Sequence, residues 1–315
     1  MFEKIRARIA QYDKIIIYRH KNPDGDAIGS QVGLKHLILE NYPHKTVYCV
    51  GDEPRRYAFI KDSAPDVITD KEYEGALAVI LDLSAPELIT DDRYKLAAEA
   101  VRIDHHIFIA PIAEDEVIDT DYESCCSLIT ELAMEAGWVM PDIAAEALYT
   151  GMVTDSGRFR YDSVSAGTFR RAAYLMQNKI DTTAIFGELY ADDLSSVQLR
   201  ASFVAKIRLY AEHIAYIYTT YEEFLATGET AFNISRGMVG TMSDLRGIDI
   251  WANFTETVDG VLCELRSSRY NINPIAVKYG GGGHAKASGA TLKSREEAMA
   301  MLEDLEALIQ KENEA

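Results

Sequence analysis

Short apolar runs rich in β-branched residues punctuate the first hundred positions: KIIIY at 14–18, TVYCV at 46–50, ALAVILDL at 76–83 and VRI at 101–103. Helix-like spacing fills the stretches near 26–40, 86–100, 124–137 and 141–155. Continuous apolar runs of strand length alternating with helical segments predict βαβ units, a parallel sheet covered by helices on both faces. The N-terminal half therefore reads as an α/β domain.

From about 166 to 212 the pattern turns wholly helical, through AGTFRRAAYLMQNKI and SSVQLRASFVAKIRLY, with acidic breaks at Asp181 and Asp192–Asp193. Strand-like HIAYIYTT follows. IDIWANFTE and VLCELRSS, joined by Val-Asp-Gly, carry a hairpin signature. A last helix is predicted from Ser294, whose hydroxyl forms a capping box with Glu297. The organisation expected is a catalytic α/β domain over 1–185, a helical connector over 186–212 and a smaller α+β domain over 213–315.

The 315 residues are 48% hydrophobic and 26% charged, enough chain for two domains with cores of their own. The N-terminus MFEKIRARIAQYDK is charged from its third residue and lacks a signal peptide's apolar centre; no later stretch reaches membrane-span length. A cytoplasmic protein is expected. Cys49, Cys125, Cys126 and Cys263 show neither CxxC spacing nor disulfide-framework density and read as small buried apolar residues. A net charge of −18 argues against broad attraction to long nucleic acid or an anionic membrane. Its distribution is uneven. Residues 1–199 carry 20 basic and 34 acidic side chains, whereas 236–295 carry 8 and 5, so the first part suits cations and the second has room for an anion.

Asp24 and Asp26 follow the first predicted strand, Asp82 closes the third, Asp104-His105-His106 follows the fourth, and Asp155 lies in TGMVTDSGRF. The C-terminal ends of parallel strands share one edge, so these residues converge on one crevice. Two carboxylates about 5 Å apart repel by roughly 3 kcal/mol at an effective dielectric of ~20, and four or five together call for divalent cations. Each segment alone has a plainer reading: Asp-Gly as a turn, Asp104-His105-His106 as a buried hydrogen-bonded group. Their alignment at strand ends favours the metal. An EF-hand starting at Asn22 fails, with Ala27 at its sixth position and Gly33 at its twelfth. GxSxG is absent, so no serine elbow competes. Mixed carboxylate and imidazole ligands suit Mn²⁺, Fe²⁺, Co²⁺ or Zn²⁺ better than Mg²⁺. With Asp82 as a bridge, two metals about 3.5–4 Å apart are expected, holding a water or hydroxide as nucleophile toward phosphorus.

GGGGHAKASGA at 280–290 lies between a helix-like NINPIAVKY and the strand-like ASGATL. A slack linker is the usual reading of such a run, but ordering four glycines inside a folded pattern points to backbone amides approaching an anion. His284 and Lys286 would assist, and Arg266 and Arg269 would extend the pocket.

Taken together, HKNPDGDAIGS, LDLS, IDHH, TGMVTDSGRF and GGGGHAKASG make the chain resemble, over nearly its whole length, the DHH/DHHA1 phosphoesterases of the bacterial nanoRNase and pAp-phosphatase type. The resemblance implies that His20, Asp24 and Asp82 hold one Mn²⁺ while Asp26, Asp82, His105 and Asp155 hold another, with Co²⁺ or Mg²⁺ as substitutes. It implies that His106 contacts the scissile phosphate. It makes Arg266, Arg269, Gly282, Gly283 and His284 the contacts of the substrate's terminal phosphate or nucleotide. Leu83 departs from the pattern, standing where a small or hydroxylated residue is expected. Asn253 reads equally as a base or ribose contact and as a buried strand amide.

The activity implied is Mn²⁺-dependent hydrolysis of very short single-stranded oligoribonucleotides and of the 3′-phosphate of pAp, with the second domain capping the metal crevice. Long duplex nucleic acid and membranes are not expected partners, and a homodimer is compatible with the resemblance. Linear or cyclic dinucleotides, pyrophosphate hydrolysis of the family II kind, and a catalytically silent nucleotide-binding module are the alternatives.

Overall fold

A computed structural model describes residues 1–313, which divide into two compact units, one over Met1–Ala191 and the other from Asp192 onward. The first unit opens with α1 (Glu3–Gln11), β1 (Lys14–Tyr18), α2 (Gly25–Asn41), β2 (Thr46–Val50), α3 (Asp70–Tyr73) and β3 (Leu77–Leu81). It continues with β4 (Glu99–Asp104), β5 (Asp115–Ile118), α4 (Cys125–Ala136), α5 (Asp142–Asp155), α6 (Ala166–Leu175) and α7 (Thr182–Tyr190). Its five strands form a parallel sheet in the order β2-β1-β3-β4-β5.

In β1, an interior strand, the alternation of side chains sorts one apolar run into two cores. Ile15 and Ile17 of β1 pack with Leu34 of α2 and Leu148 of α5, whereas Ile16 and Tyr18 pack with Tyr73 of α3 and Ile80 of β3. The second face is thinly covered. Residues 86–100, expected as a helix, instead form two 3₁₀ turns, Pro86–Leu88 and Asp92–Leu96, before β4 begins at Glu99. Ile89 is extended and bridges His20, which ends the first turn, and Asp91 caps the second by accepting from Arg93 N–H.

The second unit comprises α8 (Leu194–Ala205), β6 (Arg208–Tyr210), β7 (Ile214–Thr219), α9 (Tyr221–Thr227), α10 (Ala231–Met238), β8 (Ile250–Thr257) and β9 (Gly260–Ser267). It ends with α11 (Asn273–Lys278), β10 (Gly282–His284), β11 (Ala287–Leu292) and α12 (Arg295–Asn313). Its six-stranded sheet runs β10-β11-β9-β8-β7-β6, antiparallel except for the β7–β8 pair. The β8–β9 hairpin turns at Val258-Asp259, with Thr257 paired to Gly260. Val261, Cys263 and Leu265 of β9 pack against α12, and Trp251 of β8 packs on the opposite face with Phe203 of α8 and Ile234 of α10.

The segment expected as a connector is shared out between the units. Leu189 of α7 is buried in the first core, along with Ala172 and Leu175 of α6, while Phe203 of α8 is buried in the second unit. At α12, Ser294 accepts from Glu297 N–H, but the Glu297 carboxylate reaches Lys293 N–H, one residue before the cap. All four cysteines are buried and free. No helix among the described residues is long and apolar enough to cross a membrane.

Candidate active site

At the C-terminal end of β1 the chain runs through His20 into α2, whose N-cap is Asp24. The Asp24 carboxylate accepts through Oδ1 from Asp26 N–H and Ala27 N–H, both at 3.0 Å, which starts the helix and holds that same oxygen facing His20. The height of His20 is set by the 3₁₀ turn at 86–88, because its backbone bridges Ile89 and Lys21 N–H donates to Leu88 O at 2.8 Å. Asp26, two residues further, is buried and accepts from Cys125 N–H at 2.6 Å and Cys126 N–H at 2.9 Å. The N-terminus of α4 thus meets this acid with two amides, which offsets part of the cost of burying it.

Asp155 ends α5, and close packing of α5 on α2 brings it beside Asp26. A Cβ added to Gly151 would lie 2.2 Å from Cys126 Sγ and 3.1 Å from Asp26 Cα, so only glycine permits this approach. Asp82 follows β3 in the left-handed region, at φ 58°. Such a conformation is uncommon outside glycine and marks a position fixed by its surroundings. Asp82 N–H donates to Ile103 O at 3.1 Å, which ties the turn to β4.

The side chains meet in two groups sharing one carboxylate. His20 Nε2 lies 3.7 Å from Asp24 Oδ1 and 3.6 Å from Asp82 Oδ2. His105 Nε2 lies 3.4 Å from Asp82 Oδ1, 3.4 Å from Asp155 Oδ2 and 3.7 Å from Asp26 Oδ2. Most of these separations exceed hydrogen-bond length, and they approach the roughly 3.0–3.4 Å between neighbouring donors that each sit about 2.1 Å from one ion. Asp82 is 2% exposed, and its Oδ1 has no hydrogen-bond partner. A buried carboxylate oxygen without a donor, facing imidazole nitrogens at such distances, fits metal ions.

The second nitrogen of each imidazole is engaged by oxygen. His20 Nδ1 donates to Lys21 O at 2.8 Å and His105 Nδ1 to Tyr122 O at 3.3 Å, which directs both Nε2 lone pairs into the cluster. His106 differs: its Nδ1 donates to Asp104 Oδ1 at 2.8 Å and lies 3.6 Å from Asp82 Oδ1. The motif left Asp104 without a role; in the structure it is fully buried and orients His106.

The electrostatics follow from crowding. Burial opposes the imidazolium forms of His20 and His105, yet the facing carboxylates outweigh it and raise their pKa values to about 9 and about 10. Burial pushes the Asp26 carboxyl well up, reinforced by Asp82 and Asp155, and raises Asp155 to about 6. Without metal, protons occupy the place of cations. The Asp104 hydrogen bond raises His106.

Behind His105 stands a buried network that the chain's motifs do not reveal. Arg171 of α6 lies over the Tyr122 ring at 4.3 Å and donates to Glu123 at 3.4 Å, and Glu123 also accepts from Thr168 at 2.7 Å and from Ser127. It fixes the 122–123 backbone that receives His105. The partners come from three elements, so no local pattern marks them.

In the second unit, pairing of β9, β11 and β10 brings Arg266, Gly282, Gly283 and His284 together: Arg266 is opposite Ala287, and His284 is opposite Ala287 from the other side. Gly283, at φ 132°, approaches so closely that an added Cβ would lie 2.6 Å from Ala287 O. Gly283 O accepts from Asn273 Nδ2 at 2.7 Å. Arg266 donates to Glu264 at 3.0 Å, and Arg269, in the turn after β9, lies over the Tyr270 ring at 5.3 Å. A cavity of ≈ 480 Å³ opens nearby, lined by Gly281, Glu264 and Arg236. Asn253 is a buried strand amide, donating to Ile234 O and Ser235 O, and is no ligand contact. Leu83 is fully buried in the thinner core, where an apolar side chain belongs.

Residues 14–152 match the DHH family, N-terminal domain, and residues 213–311 match the DHHA1 domain. A protein of Bacillus subtilis named bifunctional oligoribonuclease and PAP phosphatase NrnA is 36% identical over 303 residues, covering 95% of this chain and 96% of that one. The chain belongs to the DHH family. A Mycoplasma genitalium protein of the same name is 33% identical, with 94% of each chain covered. Among solved structures, an exopolyphosphatase-related protein from Bacteroides fragilis superposes with a TM-score of 0.81 at 25% identity, covering 96% of this chain and 94% of that one. DHH phosphoesterases depend on metal ions, and the clustered acids and histidines of this member are the groups that would hold them.

Proposed function

We propose that this DHH-family enzyme hydrolyses very short oligoribonucleotides to mononucleotides and removes the 3′-phosphate of pAp, with two Mn²⁺ ions at the carboxylate cluster. The observation that carries the reading is the division of Asp82 between two groups, Oδ2 toward His20 and Oδ1 toward His105. His20, Asp24 and Asp82 would hold one ion, and Asp26, Asp82, His105 and Asp155 the other. When bound, such a pair neutralises phosphoryl oxygens and lowers the pKa of water.

The protein's own side chains do the rest. Asp104 holds Nδ1 of His106, so the ring would present Nε2 to the scissile phosphate as charge develops there. Tyr122 and Lys21 carbonyls keep His105 and His20 in the tautomer that ligates. Arg266, Arg269, Gly282, Gly283 and His284 would take the substrate's terminal phosphate or nucleotide, guanidinium and backbone amides together suiting a dianion. The names of the relatives support the pairing of oligoribonucleotide and pAp as substrates.

The test is a substrate panel at one Mn²⁺ concentration: pAp, a 5′-phosphorylated dinucleotide, a five-residue RNA, a long RNA, cyclic di-AMP and pyrophosphate. Turnover of the first three, lost in EDTA, is expected. Turnover of pyrophosphate alone, or of no phosphoester at all, would contradict it.

A further inference from the structure

Next to the carboxylate cluster stand four side chains to which the metal and phosphate assignments give no part, one of them, Arg158, within TGMVTDSGRF. The Arg56 guanidinium lies over the Tyr57 ring at 5.1 Å, and that of Arg158 over the Tyr190 ring at 4.6 Å. Arg56 Nη2 donates to Leu189 O at 3.2 Å, which joins the two pairs through α7. Tyr57 packs against Ile28 and Val32 of α2, the helix that Asp24 caps, and Arg158 follows Asp155 by three residues. Both arginines are exposed, and no carboxylate pairs with either among the described residues. On a strongly acidic unit, two such guanidinium groups beside the site are out of keeping with a surface left to solvation.

The backbone beneath Arg158 is held in an unfavourable form. Gly157, Arg158 and Phe159 take φ of 56°, 63° and 60°, and a bulky residue such as Phe159 is rare there. Ser156 Oγ accepts from Phe159 N–H at 2.9 Å, Ser156 O accepts from Arg160 and Tyr161 N–H, and Arg158 N–H donates to Val153 O at 2.8 Å. Local strain of this kind persists where the fold fixes it, and it gathers at ligand sites. Here it carries the chain around so that Arg158 lies on Tyr190.

We infer that Arg56–Tyr57 and Arg158–Tyr190 form a subsite for the sugar-phosphate chain and bases of an oligonucleotide beyond its scissile phosphate. The guanidinium N–H edges take phosphate oxygens, and the exposed faces of the stacked pairs take a base. The inference rests on the proposed oligonucleotide substrate. It makes length a determinant: a five-residue RNA reaches the subsite, whereas pAp, with one nucleoside, does not.

The experiment compares full-length parent, Arg158→Gln and Arg56→Gln, checked for unchanged melting temperature. It reads kcat/KM for five-residue RNA and for pAp with Mn²⁺, and anisotropy of a fluorescein-labelled five-residue RNA with the protein in EDTA. Each substitution is expected to lower kcat/KM for the RNA roughly tenfold, the size of one lost stacking or phosphate contact. It should leave pAp within about twofold, raise the Kd for labelled RNA, and reduce the salt slope by about 0.7 per phosphate released. Equal losses on both substrates, or no loss on RNA, would overturn the subsite. If the parent cleaves no nucleotide the proposed function fails, and the anisotropy comparison still decides the subsite: an unchanged Kd overturns it and a raised Kd upholds it.

Discussion

Asp82 combines a left-handed backbone, near-complete burial and a carboxylate oxygen without a donor, a set of liabilities that a bound cation would offset. Asp82→Asn should therefore cost at least ~10²-fold in rate, the usual scale for losing a shared ligand, and the purified variant should carry less Mn by elemental analysis. The histidines give a second expectation. His20 and His105, at about 9 and about 10, lie above the ordinary imidazole value, so the proton each gains on folding stabilises the metal-free protein below pH 6.5 and is lost as pH rises through 9–10. Melts in EDTA should fall in Tm from pH 7 to 10. Mn²⁺ binding displaces those protons, so the shift it produces should grow over the same range. At this scale much of the site was legible, because Asp24, Asp26, Asp82, His105 and Asp155 all lie just after apolar runs or at a helix end. Glu123, Arg171 and Tyr122 were not. Their meeting depends on α4 and α6 packing together, which local spacing does not encode.

Among elements, the strands with continuous apolar runs, β1, β2 and β3, could be read directly, as could α2, α4, α5 and the β8–β9 hairpin. The acidic edge strand β5, Asp115–Ile118, gave no apolar signal, since only one side of it is paired and much of it is solvated. Residues 86–100 show helical spacing but form turns, because Ile89 is drawn into an extended bridge with His20 and Asp91 starts a new capped turn instead of continuing the first. The α2–α5 contact is the element on which the site depends most. Gly151→Ala would force a methyl to 2.2 Å from Cys126 Sγ, so unfolding in urea should show a loss of roughly 1–3 kcal/mol, the usual cost of overpacking. Asp26 and Asp155 would separate in consequence, and Mn²⁺ affinity should fall with stability.

On the scale of the whole chain, the proposed function divides the work between an acidic first unit that would bind cations and a locally basic second one that would bind the anion. Arg269→Ala and His284→Ala should raise KM or lower kcat/KM for nucleotides and leave bound Mn unchanged; loss of metal in either variant would show the roles are not separate. The division into α/β and α+β parts was visible in the change from helix-strand alternation to hairpins. The fate of 186–212 was not, because amphipathic helices such as α7 and α8 do not declare which core they join. The most direct test of the account is the rate of mononucleotide release from a 5′-phosphorylated dinucleotide as chelator-stripped protein is titrated with Mn²⁺. The account predicts no turnover without metal and saturation at two equivalents per chain; full turnover in EDTA, or saturation at one equivalent, would contradict it.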